Sequence, residues 1–281
     1  MRMGIMQGRM VGPTEGRIQA FPRANWSDEF TLAAKAGLGS IEWIYDLYGA
    51  DINPIATAEG IASLQALTDS TGVGVFSLCA DWFMGFPLVR TTPGELDHRL
   101  GVLRWLLCQS RVLGITRVVL PFVDPSRIDP DQEMDQVVVA LEKIIPTLEA
   151  TGVELHLETS LAPSDFSRLM DRLPSPLIRV NYDSGNSASL GYDPAEEFAA
   201  YGARIGSIHI KDRVLGGSSV PLGQGDTNFS SLFQAVAAVG YSGDFILQVA
   251  RGRTGDEVAW ARQNRQFVLD CLSNDGQRTT T

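Results

Sequence analysis

The sequence predicts an α/β protein built as a single (β/α)8 barrel, a TIM barrel over residues 1–272. Three observations predict it: eight short apolar or β-branched runs, helical periodicity in each segment between them, and glycines where several of those helices must stop. The strand-like runs fall at 3–6, 40–43, 74–78, 117–121, 154–158, 178–182, 207–210 and 245–249. The helical segments fall at 25–36, 56–71, 94–113, 132–151, 162–173, 194–201, 228–239 and 256–272. Strands separated by helices run parallel, and eight such units can close on themselves.

The helix-to-strand junctions Ala36-Gly37-Leu38, Leu113-Gly114-Ile115, Thr151-Gly152-Val153 and Val239-Gly240-Tyr241 each put a residue that tolerates positive φ at a helix end. A doubly wound open sheet is the alternative for this alternation, but no GxGxxG phosphate loop follows the first run. A chain of 281 residues fits one large barrel or two small domains, and with no Ser/Pro-rich linker or composition break the expectation is one. The acidic stretch 129–135 reads as a solvated helix start. Residues 273–281 are polar and aperiodic, and a flexible tail is expected there.

Apolar residues make up 44% of the chain and charged residues 20%, with no apolar stretch long enough to cross a bilayer. The opening MRMGIMQGRM lacks a long apolar segment with a small-residue cleavage site, so a soluble cytoplasmic protein without a membrane partner is expected. Cys79, Cys108 and Cys271 are odd in number and far apart, which suggests neither a disulfide framework nor a thiolate zinc site. The net charge of −10 repels a phosphate backbone and argues against a nucleic-acid partner.

Function is suggested by Glu158, Asp183, His209 and Gln248, each at or just past the C-terminal end of an apolar run. In a closed parallel barrel these four converge on one mouth, where active sites of this fold gather. Taken singly, each has an ordinary reading. Glu158 could be a solvent-facing carboxylate, Asp183 before Ser184-Gly185 a turn residue, and His209 a satisfied core imidazole. Together two carboxylates, an imidazole and an amide oxygen make a mostly hard donor set for one divalent ion: Mn²⁺, Mg²⁺ or Co²⁺, with Zn²⁺ also compatible. Strand alternation puts Glu154 and His156 on the same side as Glu158 in deeper layers.

The chain resembles the xylose isomerase-like barrel family of sugar and sugar-phosphate isomerases and epimerases, which also contains apurinic endonucleases of the endonuclease IV type. The resemblance runs through Gly37-Leu38-Gly39-Ser40-Ile41-Glu42-Trp43, Leu113-Gly114-Ile115, Leu157-Glu158, Asn181-Tyr182-Asp183-Ser184-Gly185-Asn186, Ile208-His209-Ile210-Lys211-Asp212 and Pro221-Leu222-Gly223-Gln224-Gly225-Asp226. It implies that Glu158, Asp183 and His209 are metal ligands. Gln248 stands where many members have a second glutamate, both ligand and acid/base, and Asn186, in the loop after the sixth run, where many have a histidine that contacts substrate or metal.

Isomerisation and C3 epimerisation both remove a proton next to a carbonyl, and a divalent cation stabilises the resulting enediolate. Epimerisation usually needs proton carriers on opposite faces, and Gln248 cannot titrate. The expectation is therefore an isomerase, with aldose–ketose isomerisation favoured and Glu158 as the base. Lys211, Arg213 and Arg251 follow the seventh and eighth runs, where this fold often binds phosphate, so a small carbohydrate or sugar phosphate is the expected substrate, with Arg251 the stronger phosphate candidate. Glu42 is a candidate acceptor for a substrate hydroxyl, and Trp82 a candidate face for the sugar's C–H surface. The alternatives are a metal-dependent lyase or dehydratase on a polyol-type substrate, and a non-catalytic sugar-binding relative. A multi-zinc endonuclease is disfavoured because His98, His156 and His209 are the only histidines. Homo-oligomerisation through the outer helices is left open.

Overall fold

The computed structural model describes residues 2–278. Eight strands, Met3–Met6, Ser40–Ile44, Gly74–Cys79, Arg117–Phe122, Glu154–Thr159, Ile178–Asp183, Ile205–Ile210 and Phe245–Leu247, close into a barrel in chain order. Every ladder is parallel, and the eighth strand pairs with the first. This is the TIM barrel that the alternation predicts.

Outward-facing Val118, Leu120, Leu155, Leu157, Ile208 and Ile210 are all fully buried in the core cluster. Each such side chain contributes about 1.5–3 kcal/mol by leaving water, which fixes which face of each strand meets the helices. The alternate residues must then point into the barrel, and at strands five to seven these are polar. His156 Nδ1 lies 2.7 Å from Ser207 Oγ, Ser207 Oγ donates to Asn181 Oδ1 at 2.6 Å, and Asn181 Nδ2 donates to Glu158 Oε2 at 3.0 Å. A hydrogen-bonded column therefore rises through the barrel to Glu158. Gly206 lacks a side chain because a Cβ there would run into the His156 ring.

Beyond shifts of a few residues, four departures from the sequence expectation matter for the site and the chain's end. The helical segment 132–151 is two helices, Met134–Glu142 and Ile145–Thr151, because Pro146 has no N–H to give the Glu142 carbonyl and its ring crowds that oxygen. After the sixth strand comes a helix, Ser184–Leu190, where a loop was expected, with Asp183 Oδ1 accepting from Asn186 N at 2.8 Å as its N-cap. The eighth strand stops at Leu247, so Gln248 lies just past it. The final helix runs Glu257–Arg278, beyond the expected end at 272, and residues 279–281 of the expected tail lie outside the described residues. Gly37 ends the first helix at φ 76°, as its junction predicts. Among the described residues no helix is long and apolar enough to cross a membrane.

The first helix, Asp28–Ala36, holds the loop that follows the first strand. Glu29 Oε1 accepts from Gly8 N at 2.7 Å and Met10 N at 3.2 Å, while Oε2 has no partner. Burial pushes this carboxyl up to about 8, against the lowering effect of those two N–H groups and of Arg251 and Arg9. A folded-state value above the unfolded one (about 4.3) stabilises the fold below the unfolded value, and that stability is lost as pH rises through the folded value. Glu29→Gln should therefore gain in Tm relative to the parent protein between about pH 5 and pH 8. Parallel Tm–pH curves for the two proteins in calorimetry would contradict this.

Candidate active site

At the C-terminal mouth, the sixth and seventh strands are in register at Asp183 and His209, so both side chains point inward at one level. Glu158, from the fifth strand, joins them, and one ligating atom from each of the three lies within 4.8 Å of the others. All three are buried, as is Gln248. This is the convergence that the strand ends predict.

His209 sits between two carboxylates. Its Nε2 is 2.6 Å from Glu42 Oε1, and its Nδ1 is 3.4 Å from Glu158 Oε2 and 3.1 Å from Asn181 Nδ2. Burial alone would lower the imidazole, but Glu42 and Glu158 outweigh it and push the ring up to about 10. Glu42 would likewise be raised by burial, and the adjacent His209 holds it below the ordinary carboxylate range instead. Glu42 is 0% exposed and faces His209 from within the barrel. It is therefore a partner that orients the imidazole, not an acceptor presented to a substrate hydroxyl.

Above this level opens a cavity of about 560 Å³, lined among others by Glu158, Asn186, Lys211, Arg213 and Gln248. Asn186 Nδ2 donates to Glu158 Oε1 at 2.7 Å, and Arg213 Nη1 donates to Asn186 Oδ1 at 2.8 Å, so these three side chains are tied together. Lys211 Nζ hangs over the carboxylates, 3.5 Å from Asp183 Oδ2, 3.4 Å from Asn186 Oδ1 and 3.4 Å from Gln248 Oε1. Its flexible ammonium supplies countercharge without a fixed geometry.

Two expected substrate contacts lie elsewhere. Trp82 does not line this cavity; it packs with Phe83, Phe86 and His98 at ring separations of 5.1, 4.4 and 6.4 Å. Arg251 donates to the Ile18 carbonyl at 3.0 Å and the Val11 carbonyl at 2.9 Å, and lines a separate small cavity. The chain has left the strand by then, so Arg251 braces the loop after the first strand. Conversely, Arg9, Gln19 and Asp81 line the main cavity without having been anticipated. Gln19 Oε1 accepts from Gln248 Nε2 at 3.0 Å and Gln19 Nε2 donates to Asp81 Oδ2 at 2.7 Å, linking the loops after the first and third strands to Gln248.

Comparison with known proteins agrees with this architecture. The chain belongs to the xylose isomerase-like TIM barrel family, whose model matches residues 30–271. L-ribulose-5-phosphate 3-epimerase UlaE of Escherichia coli (strain K12) is 23% identical over 260 residues, covering 89% of this chain and 91% of its own. The 2-epi-5-epi-valiolone 7-phosphate 2-epimerase of Actinoplanes sp. is 28% identical over 206 residues, covering 72% of each chain. Among solved structures, the IolI protein with a bound zinc atom superposes with a TM-score of 0.76 at 16% identity, covering 98% of this chain and 99% of that one. Both curated relatives are epimerases, enzymes of the isomerase class.

Breaking the buried Glu42–His209 pair by removing one partner should be costly, because it leaves the other charge uncompensated. Glu42→Ala is expected to lower unfolding stability by about 3–5 kcal/mol in urea titration. A loss under about 1 kcal/mol, the range of exposed ion pairs, would mean the pair is not sequestered as described.

Proposed function

We propose that the protein is a cytoplasmic, divalent-metal-dependent epimerase of a small ketose or ketose phosphate, inverting a carbon beside the carbonyl through an enediolate. The observation that carries this reading is the position of Glu158: its carboxylate stands on the floor of the cavity and within the cluster formed with Asp183 and His209. The relatives are epimerases of L-ribulose 5-phosphate and of 2-epi-5-epi-valiolone 7-phosphate, which favours epimerisation over the aldose–ketose exchange suggested by Gln248 alone.

The donor set fits a cation. Two carboxylates and an imidazole face one point, and a bound ion would take the place of any proton on the ligating His209 nitrogen. Glu158, Asp183 and His209, with the Gln248 amide oxygen as a fourth donor, would hold one divalent ion; when bound, it supplies positive charge beside the substrate's carbonyl and hydroxyl oxygens. Oxygen-rich donors suit Mn²⁺, Mg²⁺ or Co²⁺, and the zinc of IolI keeps Zn²⁺ in the set.

The residues of this chain do the rest. Glu158 takes the proton from the carbon next to the carbonyl. Asn186 and Asn181 each donate to one of its oxygens and so fix the carboxylate plane against that carbon. Lys211 and Arg213 border the same cavity and provide cationic donors for an anionic group of the substrate such as a phosphate.

Purified protein should carry near one divalent ion per chain by elemental mass spectrometry, and Glu158→Ala should lose it; an empty parent protein that also fails to take up Mn²⁺, Co²⁺ or Zn²⁺ would end the metal reading. Arg213→Ala should raise KM about tenfold or more (the worth of one charge-assisted hydrogen bond, about 1.5–3 kcal/mol) for a phosphorylated ketose but not for its free sugar. Equal losses on both would argue against a phosphate role.

A further inference from the structure

Inversion at carbon requires a proton to leave one face and another to arrive at the opposite face, and Glu158 accounts for one carrier. Gln248, on the cavity floor, has an amide that cannot serve. Other proton-bearing side chains on the cavity wall are already occupied or poorly placed. Asp46 is committed to backbone, with Oδ1 accepting from Tyr48 N and Gly49 N and Oδ2 from Phe21 N. Asp124 is exposed on a turn at φ 50°. Lys211 lies among Asp183, Asn186 and Gln248, on the same side of the mouth as Glu158. Burial and the adjacent carboxylates hold the Cys79 thiol well above its ordinary range. Asp81 remains.

Asp81 follows the third strand, a quarter-turn round the eight-stranded ring from the fifth strand that carries Glu158, so the two carboxyls reach the cavity from different walls. Its carboxyl is half-buried on the cavity wall and bonded only to uncharged donors, Gln19 Nε2 at 2.7 Å on Oδ2 and Cys79 Sγ at 3.1 Å on Oδ1. Gln19 is in turn bonded by Gln248 Nε2 at 3.0 Å and by Arg9 Nη2 at 3.2 Å, so the amide that holds Asp81 is itself fixed from two sides. A carboxyl anchored in this way, with no cation paired to it, is placed to exchange protons with whatever fills the cavity.

We propose that Asp81 is the second catalytic residue of the epimerisation, delivering a proton to the face of the substrate carbon opposite Glu158; the inference rests on the epimerase reading above. In the forward direction the C–H bond breaks and its proton passes to the Glu158 carboxylate, the electron pair entering the enediolate. The O–H bond of protonated Asp81 then breaks, and its proton forms the new C–H bond on the other face, leaving Asp81 as carboxylate. Solvent resets both carboxyls, and the reverse reaction exchanges their roles. Burial, with Glu158 and Asp46 nearby, raises the Asp81 carboxyl to about 6 against the lowering bonds from Gln19 and Cys79, so both of its forms are accessible near neutral pH.

The test is reciprocal isotope exchange. Parent protein, Asp81→Asn and Glu158→Gln, each supplied with Mn²⁺ and checked for folding by circular dichroism, are incubated in D₂O with L-ribulose 5-phosphate and, separately, with its 3-epimer L-xylulose 5-phosphate. Each carbon-3 deuterium is read by mass spectrometry and net inversion by chromatography. Asp81→Asn is expected to slow inversion by about 10²–10⁴-fold yet still exchange deuterium into one epimer, the one whose C–H faces Glu158. Glu158→Gln should exchange only the other epimer. Inversion at the parent rate in Asp81→Asn, or loss of exchange from both epimers in folded Asp81→Asn, overturns the role of Asp81 while leaving the epimerase reading standing. A parent protein that exchanges neither epimer overturns that reading and the inference with it.

Discussion

The structure turns on one buried imidazole held between two carboxylates. Glu42, Glu158 and Asp183 bring three acids to the upper layer of the barrel at 0%, 4% and 5% exposure, and the cation buried among them is His209. Removing each ion from water costs several kcal/mol after relaxation, so such a layer persists only where opposite charge and hydrogen bonds compensate it. His209 offsets part of the excess, Asn181 and Asn186 donate to Glu158, and Lys211 leans over from the cavity. The remaining negative field is what a divalent ion would neutralise in the proposed enzyme.

The barrel produces this arrangement by alternation. Packing outward-facing Leu155 and Leu157 under the helices obliges Glu154, His156 and Glu158 to face inward, and the same constraint at the sixth and seventh strands aligns Asn181 with Ser207 and Asp183 with His209. The donor half of the mouth is thus built on rigid strand ends from the fifth strand onward. The opposite half is supplied by loops: Arg9 and Gln19 from the long connection after the first strand, and Asp81 just past the third. One side holds fixed geometry, and the other carries groups whose placement depends on side-chain bonds to each other.

That division also decides what could be read from the sequence. The eight strands, their parallel order and the Glu158–Asp183–His209 cluster follow from periodicity and strand-end position, because both are set by local packing that repeats along the chain. Asn181 was within reach of the same reasoning, standing two residues before Asp183 and therefore on the same side. For Glu42 the strand pattern gives the inward direction but not the depth; its partner His209 is 167 residues away. Ser184-Gly185-Asn186 has turn chemistry and reads as a loop, whereas Asp183 uses that stretch as the first turn of a capped helix. Arg251 and Trp82 lie beyond strand ends, where the chain's exit direction is tertiary. No local pattern marks Gln19 or Asp81, whose positions depend on contacts 62 residues apart.

Gln248 joins these two halves. As an amide it offers an oxygen toward Lys211 and an N–H toward Gln19, both at once, which a carboxylate could not do because it has no N–H to give. A glutamate there would add a fourth acid to an already negative layer and would meet the Gln19 oxygen as a second acceptor. The Gln19 amide would then have to turn over to donate to it, and in turning would present its oxygen, not its nitrogen, to Asp81. The neutral residue at 248 and the carboxyl at 81 are therefore a matched pair: the same amide bridge that denies the eighth strand an acid holds the acid of the third strand in place.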